Sequence, residues 1–198
     1  MKVVGICGSP KKENSTTLFG LEKAMQAVKG CGVDTEIVQL SHHSFSGCID
    51  CGKCREEYTC SLNDDFTNKI MPLLKGDEIK GLILGSPVYF GGVSSQMKMF
   101  IDRCVLFRRN GFRFENLIAG VLTVGRSRNG GQELTAMDLV KNAMIQGMTV
   151  VSDASPTSHF GGVFWSGNPG GVEQDETGIK TAQNLGKRVG ELVIKVFG

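Results

Sequence analysis

With 198 residues, 22 lysines and arginines stand against 20 aspartates and glutamates, for a formal charge of +2. So balanced a chain excludes the basic stripe of a nucleic-acid binder and offers no polybasic attraction to an acidic membrane. No apolar run approaches the ~18 residues of a membrane helix, and the length suits one α/β domain over residues 1–198.

In chain order, the apolar, β-branched run at 3–7 reads as a buried strand, stopped by Gly8-Ser9-Pro10. Residues 15–29 repeat apolar side chains at Leu18, Leu21, Met25 and Val28, one face of a helix. Residues 34–40 form the second expected strand. From 41 to 63 periodicity fails and four cysteines appear, a cysteine-rich insert at 45–63. A helix over 64–74 follows, with Asn63 or Asp64 as its expected cap. Residues 81–86 give a short buried strand ended by Pro87, and 94–106 a helix with Met97, Phe100, Ile101 and Cys104 along one face. Residues 117–124 are the fourth strand. Gly130-Gly131 leads into a helix whose inner side is expected to carry Leu134, Met137, Val140 and Met144. A fifth strand at 148–152, a glycine-rich loop at 158–171 holding the only tryptophan, and a closing helix at 175–197 complete the chain.

The segment from Val3 to Thr17 organises this pattern. Unpaired N–H groups where a loop enters a helix make an anion site, helped by the helix dipole. Ser9, Lys11, Asn14, Ser15, Thr16 and Thr17 add side-chain donors, so the loop suits one phosphate monoester. It lacks the Gly-Lys-Ser/Thr of a Walker loop. It also lacks the glycine spacing of the dinucleotide fingerprint, and the second strand ends in Gln39 instead of an acidic ribose ligand. A capped helix with no ligand is the alternative for this segment alone.

Five strand–helix alternations predict a parallel sheet covered on both faces. The single phosphate loop favours a flavodoxin-like, doubly wound five-stranded sheet of order 2-1-3-4-5, an α/β fold with its ligand beyond the strand C-termini. In that order the first, third and fourth strands are neighbours. Their exits are the most loop-like stretches of the chain: Gly8 to Pro10, Pro87-Val88-Tyr89-Phe90-Gly91-Gly92, and Thr123 through Gly125 and Arg126 to Gly130 and Gly131. Gly91 and Gly92 would let backbone N–H groups approach a polar ring edge, with Tyr89 or Phe90 against its face. Glycine, at 27 residues, is roughly twice its usual ~7%. A flat, polar-edged cofactor with one phosphate describes FMN.

These motifs, together with Ser86 to Ser94 and Lys98-Met-Phe-Ile-Asp-Arg103, resemble the NADPH-dependent FMN reductase-like branch of the flavodoxin superfamily. The resemblance covers residues 1 to about 148. It implies FMN, the phosphate and ring loops named above, and a dimer-of-dimers assembly. It also places Lys98 and Arg103 on the helix after the ring loop; by themselves both would read as solvated helix charges.

Cys48, Cys51, Cys54 and Cys60 pack four thiols into thirteen residues. Zinc sites usually draw two Cys pairs from separate turns, whereas a tight Cys-x2-Cys-x2-Cys run wraps corners of a cubane. The spacing resembles the compact motif of the iron–sulfur flavoproteins within the same branch, which implies a [4Fe–4S] cluster on these four residues. Zinc and unmetallated thiols stay open as alternatives. Cys7, Cys31 and Cys104 read as ordinary buried cysteines, and His42-His43 as a solvated loop pair.

The chain therefore reads as an FMN-dependent oxidoreductase passing electrons between FMN, a cluster, and a donor that is either ferredoxin or NAD(P)H. A cluster-free NAD(P)H-dependent FMN or quinone reductase, or a non-enzymatic carrier or sensor, are the rivals. No Ser/His/Asp or paired-carboxylate constellation appears, so no catalytic side chain is assigned; Asp64-Asp65 reads as helix capping. Thiol-rich composition and no leader-like start point to the cytoplasm. Phe160, Phe164 and Trp165 on the 158–171 loop, with the family resemblance, predict a homo-oligomer, dimer or tetramer.

Overall fold

The computed structural model describes residues 1–198. Its strands are β1 (Lys2–Cys7), β2 (Asp34–Gln39), β3 (Ile79–Pro87), β4 (Ile118–Gly125), β5 (Thr149–Val150) and β6 (Gly162–Trp165). The helices are α1 (Thr16–Gly30), α2 (Lys53–Glu56), α3 (Met71–Lys75), α4 (Ser95–Arg103), α5 (Val105–Arg109), α6 (Gln132–Ile145) and α7 (Glu176–Phe197). The sheet runs β2-β1-β3-β4-β5, all parallel, so the expected order is found.

Alternation along the strands divides the core between two faces. Val4, Ile6, Leu82 and Leu84 face α3 to α6, where Phe66, Phe100, Phe107 and Phe114 fill the layer. Val3, Cys7 and Ile83 face α1 and α7, packing on Leu21, Ala24, Leu185 and Val189. Three helices carry side-chain caps at their N-termini. Ser15 caps α1 by accepting the Leu18 N–H at 3.1 Å, Ser94 caps α4, and Asp175 caps α7.

Three expectations need correction. The fifth strand is only two residues long, and the same edge of β4 is completed by β6, which lies inside the stretch expected to be a loop. Gly161 and Gly162 explain both the misreading and the fit. A Cβ on Gly161 would lie 2.2 Å from the Val121 carbonyl oxygen, and one on Gly162 2.8 Å from the Leu122 side chain. Bare backbone is what lets β6 dock there. Phe164 consequently sits in the core, edge-on to Phe19 with ring centroids 6.4 Å apart, and does not face another subunit.

The inner face of α6 is also different. Leu134, Met137 and Met144 are exposed, while Thr135, Ala136, Leu139 and Ala143 face the sheet. Both stripes have helical spacing; the smaller residues win because they bring the helix axis closer to the strands. The expected 64–74 helix begins with a wide π turn at Phe66–Ile70 before α3. Pro72 cannot donate an N–H to the Asn68 carbonyl, and the wider turn accommodates that loss.

Candidate active site and cysteine recess

At the C-terminal edge of the sheet, the exits of β1, β3 and β4 enclose a cavity of about 480 Å³, within the usual size of small-molecule sites. The β1 exit contributes Ser9, Lys11, Thr16 and Thr17, and the β3 exit Pro87, Val88 and Tyr89. The β4 exit contributes Val124 and Arg126. Ser166 and Gly167, after β6, close the remaining side. Sequence reasoning names Val124 only as part of the β4 exit and misses Ser166 and Gly167; the glycine-rich loop is the available signal for these two, and it points to a subunit contact instead.

Hydrogen bonds between the exits hold this rim. The Gly8 N–H donates to Gly85 O (2.7 Å), Val88 N–H to Val124 O (3.0 Å), and Ser166 N–H to Gly125 O (2.9 Å). The Ser94 hydroxyl donates to Gly8 O, tying the start of α4 to the β1 loop. Ser9 Oγ accepts from Lys11 N–H at 3.2 Å, curling the loop back on itself. No carboxylate lines the cavity, whereas the exposed Lys11 and Arg126 do. Its electrostatics therefore favour an anion.

Other expected ligand-contacting residues lie around this rim. Asn14, in a left-handed conformation (φ 50°), and Ser15 border a neighbouring depression with Leu18 and Phe19, which Thr16 also lines. Phe90 and Gly91 form a tight turn with positive φ (50° and 76°), closed by Tyr89 N–H to Gly92 O (2.9 Å) and Gly92 N–H to Tyr89 O (3.1 Å). The Gly92 N–H is thus committed inside the turn, and Phe90 projects fully into solvent. Gly131 packs behind this turn, where a Cβ would lie 3.3 Å from Gly91 Cα. Gly130 N–H donates to Gln132 Oε1 (2.7 Å), and Gly125 is backed by the Gln132 side chain. Thr123 is buried, and its hydroxyl has no partner. Trp165 stacks under Arg128, 4.5 Å from guanidinium carbon to ring centroid, beside a separate hollow.

The four insert cysteines line one small recess, floored by Arg103, Val105 and Leu106. Cys48 and Cys51 stand on its exposed rim, Cys60 is half-buried, and Cys54, on α2, is buried. All are free thiols. No three His, Cys, Asp or Glu side chains converge as a set for a single metal ion. A cubane asks for a different arrangement, one thiolate on each of several iron corners, and a common recess offering four thiols suits that donor set. The hydrogen bond between Cys51 Sγ and Ser61 Oγ (2.9 Å), followed by the Lys53 N–H, holds the Cys51 thiol below its ordinary pKa.

Arg103 is a further correction to the sequence reading. Its side chain is 1% exposed and forms a forked ion pair with Asp64, Nη1 to Oδ2 at 2.7 Å and Nη2 to Oδ1 at 3.0 Å. It also donates to Ser46 O (2.9 Å) and Thr67 Oγ1 (3.0 Å), and lies over the Phe66 ring. Burial would raise the Asp64 pKa, but the Arg103 hydrogen bonds and charge, with N–H groups of Thr67 and Ser46, outweigh it and hold the carboxyl below its usual range. Asp64 does cap the following turn through Thr67 N–H, as expected, and it also anchors the insert. Lys98 is exposed and pairs with Asp102. Burial lowers the His43 pKa, and its Nδ1 has no partner, so the two histidines are not both solvated.

A parallel 2-1-3-4-5 sheet with an anion-favouring cavity across the β1, β3 and β4 exits defines a flavodoxin-like protein. The chain belongs to the NADPH-dependent FMN reductase family, whose pattern it matches over residues 1–162, and it is a flavin oxidoreductase. It is 45% identical over 193 residues to an iron–sulfur flavoprotein of Methanocaldococcus jannaschii, covering 98% of this chain and 97% of the relative. An iron–sulfur flavoprotein of Methanosarcina thermophila is 37% identical over 190 residues, covering 96% and 93%. Among solved structures, a WrbA-like flavodoxin protein of Agrobacterium tumefaciens superposes with a TM-score of 0.62 at 20% identity, covering 98% of this chain and 97% of that one.

Proposed function

We propose that the cavity binds FMN, that Cys48, Cys51, Cys54 and Cys60 carry a [4Fe–4S] cluster, and that the protein passes electrons between them. The observation that carries the FMN reading is the cavity's charge: Lys11 and Arg126 on its lining, hydroxyls from Ser9, Thr16 and Thr17, and no carboxylate. The iron–sulfur names of the relatives and the shared recess of four thiols support the cluster. When bound, FMN supplies two-electron chemistry and the cluster one-electron chemistry, so the pair connects both kinds of carrier.

The chain's own residues have distinct tasks. The loop from Ser9 to Thr17 offers hydroxyl and N–H donors to a phosphate, with Lys11 and Arg126 balancing its charge. Pro87, Val88 and Val124 form an apolar wall that excludes water from a ring, while the half-exposed Tyr89 leaves an approach for a second reactant. α4 joins the two regions. Its cap Ser94 binds the β1 loop and its last residue, Arg103, binds the insert, so nine residues of helix span about 13 Å between them.

Heat release and chromatographic identification of the bound ligand test the flavin; recovery of FAD as the tight ligand overturns it. Iron and sulfide content after anaerobic purification tests the cluster. The match to FMN reductases, with Cys51 already bonded to Ser61, favours as second reading a cluster-free NAD(P)H-dependent reductase; full turnover with NAD(P)H in protein lacking iron supports it. Ferredoxin or NAD(P)H is the donor on the first reading. The exposed Leu134, Met137, Met144, Phe90 and Phe160 support a homo-oligomer, dimer or tetramer. Seven free thiols fit a reducing, cytoplasmic setting. No helix is long and apolar enough to cross a membrane.

A further inference from the structure

The end of α5 grips the cysteine recess at one residue, Cys54. Arg109 Nη1 donates to Cys54 Sγ at 3.2 Å, and Asn110 Nδ2 donates to the Cys54 carbonyl at 3.0 Å. Arg109 also reaches across the loop, Nη2 to Asp50 Oδ1 at 3.4 Å. Two cations therefore border the recess, and they differ in what remains of their charge. Arg103 is neutralised at close range by the forked bond to Asp64. Arg109 has only a long contact to a carboxylate whose side chain is 78% exposed, so water screens that partner. The charge left on Arg109 acts mainly on the sulfur of Cys54, which is buried.

A hydrogen bond from a cation strengthens as its acceptor becomes more negative. One electron entering a thiolate-held iron–sulfur centre raises the negative charge on its sulfurs. Such a bond therefore favours the reduced state, and hydrogen bonds to sulfur are among the protein's levers on cluster potential. We propose that Arg109 is a positioning residue that sets the reduction potential of the centre held by the four cysteines, through its N–H···S bond to Cys54. The inference rests on the cluster reading given above. In the step concerned one electron arrives from an external one-electron reductant, no bond forms or breaks, and the guanidinium keeps its proton.

The experiment is a redox titration of anaerobically reconstituted full-length protein with dithionite, followed by electron-spin resonance. Wild type is compared with Arg109→Gln and Arg109→Lys, with iron and sulfide measured on each sample. Arg109→Gln is expected to lower the one-electron reduction constant about tenfold, or about 59 mV, at full iron and sulfide. Arg109→Lys keeps the charge without the fork and is expected to fall in between. The flavin midpoint of the same samples is expected to stay at its wild-type value, which a general loosening of the fold would not allow. Equal cluster constants in all three proteins at full iron content overturn the proposal and leave the cluster reading standing. Wild-type protein that takes up no iron and sulfide overturns that reading and the proposal with it. Should Arg109→Gln assemble no cluster, Arg109→Lys decides: a wild-type constant and an unchanged resonance line shape overturn the proposal.

Discussion

The cavity at the strand exits and the cysteine recess are built by different means. The cavity is framed mainly by backbone: three strand ends and the exit of β6, cross-tied by N–H to carbonyl bonds between neighbouring strands of the sheet. The recess is framed by side chains: two arginines, from α4 and α5, and the asparagine that follows α5 reach over to a segment with one four-residue helix of its own. A backbone frame survives most single substitutions, because every residue type supplies the same N–H and C=O. A side-chain frame concentrates its stability in few groups. The recess is accordingly expected to fail at single residues, and the cavity to respond by degrees.

The largest effect is expected from Asp64→Asn. It leaves the Arg103 guanidinium, 1% exposed, without its counter-charge, and breaking a buried pair on one side costs about 3–5 kcal/mol. Denaturant unfolding measures the loss, and limited proteolysis locates it, with cuts expected in 45–63. Flavin affinity of the folded fraction is expected to stay within about twofold. A loss below about 1 kcal/mol, or an equal loss in flavin affinity, would remove the distinction between the two frames.

A graded effect is expected at the cavity. Lys11→Glu and Arg126→Glu each place an anion on a lining that has none, at a cost of about 1–2 kcal/mol in FMN binding, the scale of a charge-assisted hydrogen bond. Fluorescence titration of the apoprotein with FMN reads the change, which should shrink with added salt because both side chains are exposed. Affinity that does not move in either variant would place the phosphate elsewhere.

The contrast also explains what could be read from the sequence. β1, β3 and β4 are apolar, β-branched runs closed by Gly or Pro, and local pattern suffices for such strands and hence for the sheet order. β6 is four residues of Gly-Val-Phe-Trp in a glycine-rich stretch, and it becomes a strand only because β4 offers an open edge forty residues earlier. On α6, two stripes share the helical period, and only the distance to the sheet chooses between them. Arg103 reads as a surface charge until Asp64, thirty-nine residues earlier in the chain, is placed beside it. The loop from Ser9 to Thr17 is legible as part of the cavity rim because its donors lie within nine consecutive residues. Ser166 and Gly167 are not, since they join the cavity through β6.

The smallest expected effect concerns acid, and it separates the two histidines between β2 and the insert. His43 is half-buried with a lowered pKa, chiefly from burial, partly opposed by Asp65. Its folded value lies below its unfolded value near 6.5, so the unfolded chain binds the proton more readily. The stability it contributes is therefore present above about pH 6.5 and declines as the pH falls towards the folded value. Asp64 has the same sign in a lower window: its folded pKa is depressed, so its contribution holds above the unfolded carboxylate value near 3.9 and is lost below it. Melting temperature against pH should therefore fall in two steps, a shallow one between about pH 7 and 5 and a steeper one below about pH 4. His43→Gln is expected to flatten the first step and keep the second. His42→Gln, which removes an exposed ring bound to the Lys12 carbonyl and a charge that adds least to the lowering at His43, is expected to shrink the first step far less than His43→Gln does and to keep the second. A first step that persists in His43→Gln would assign it to another group.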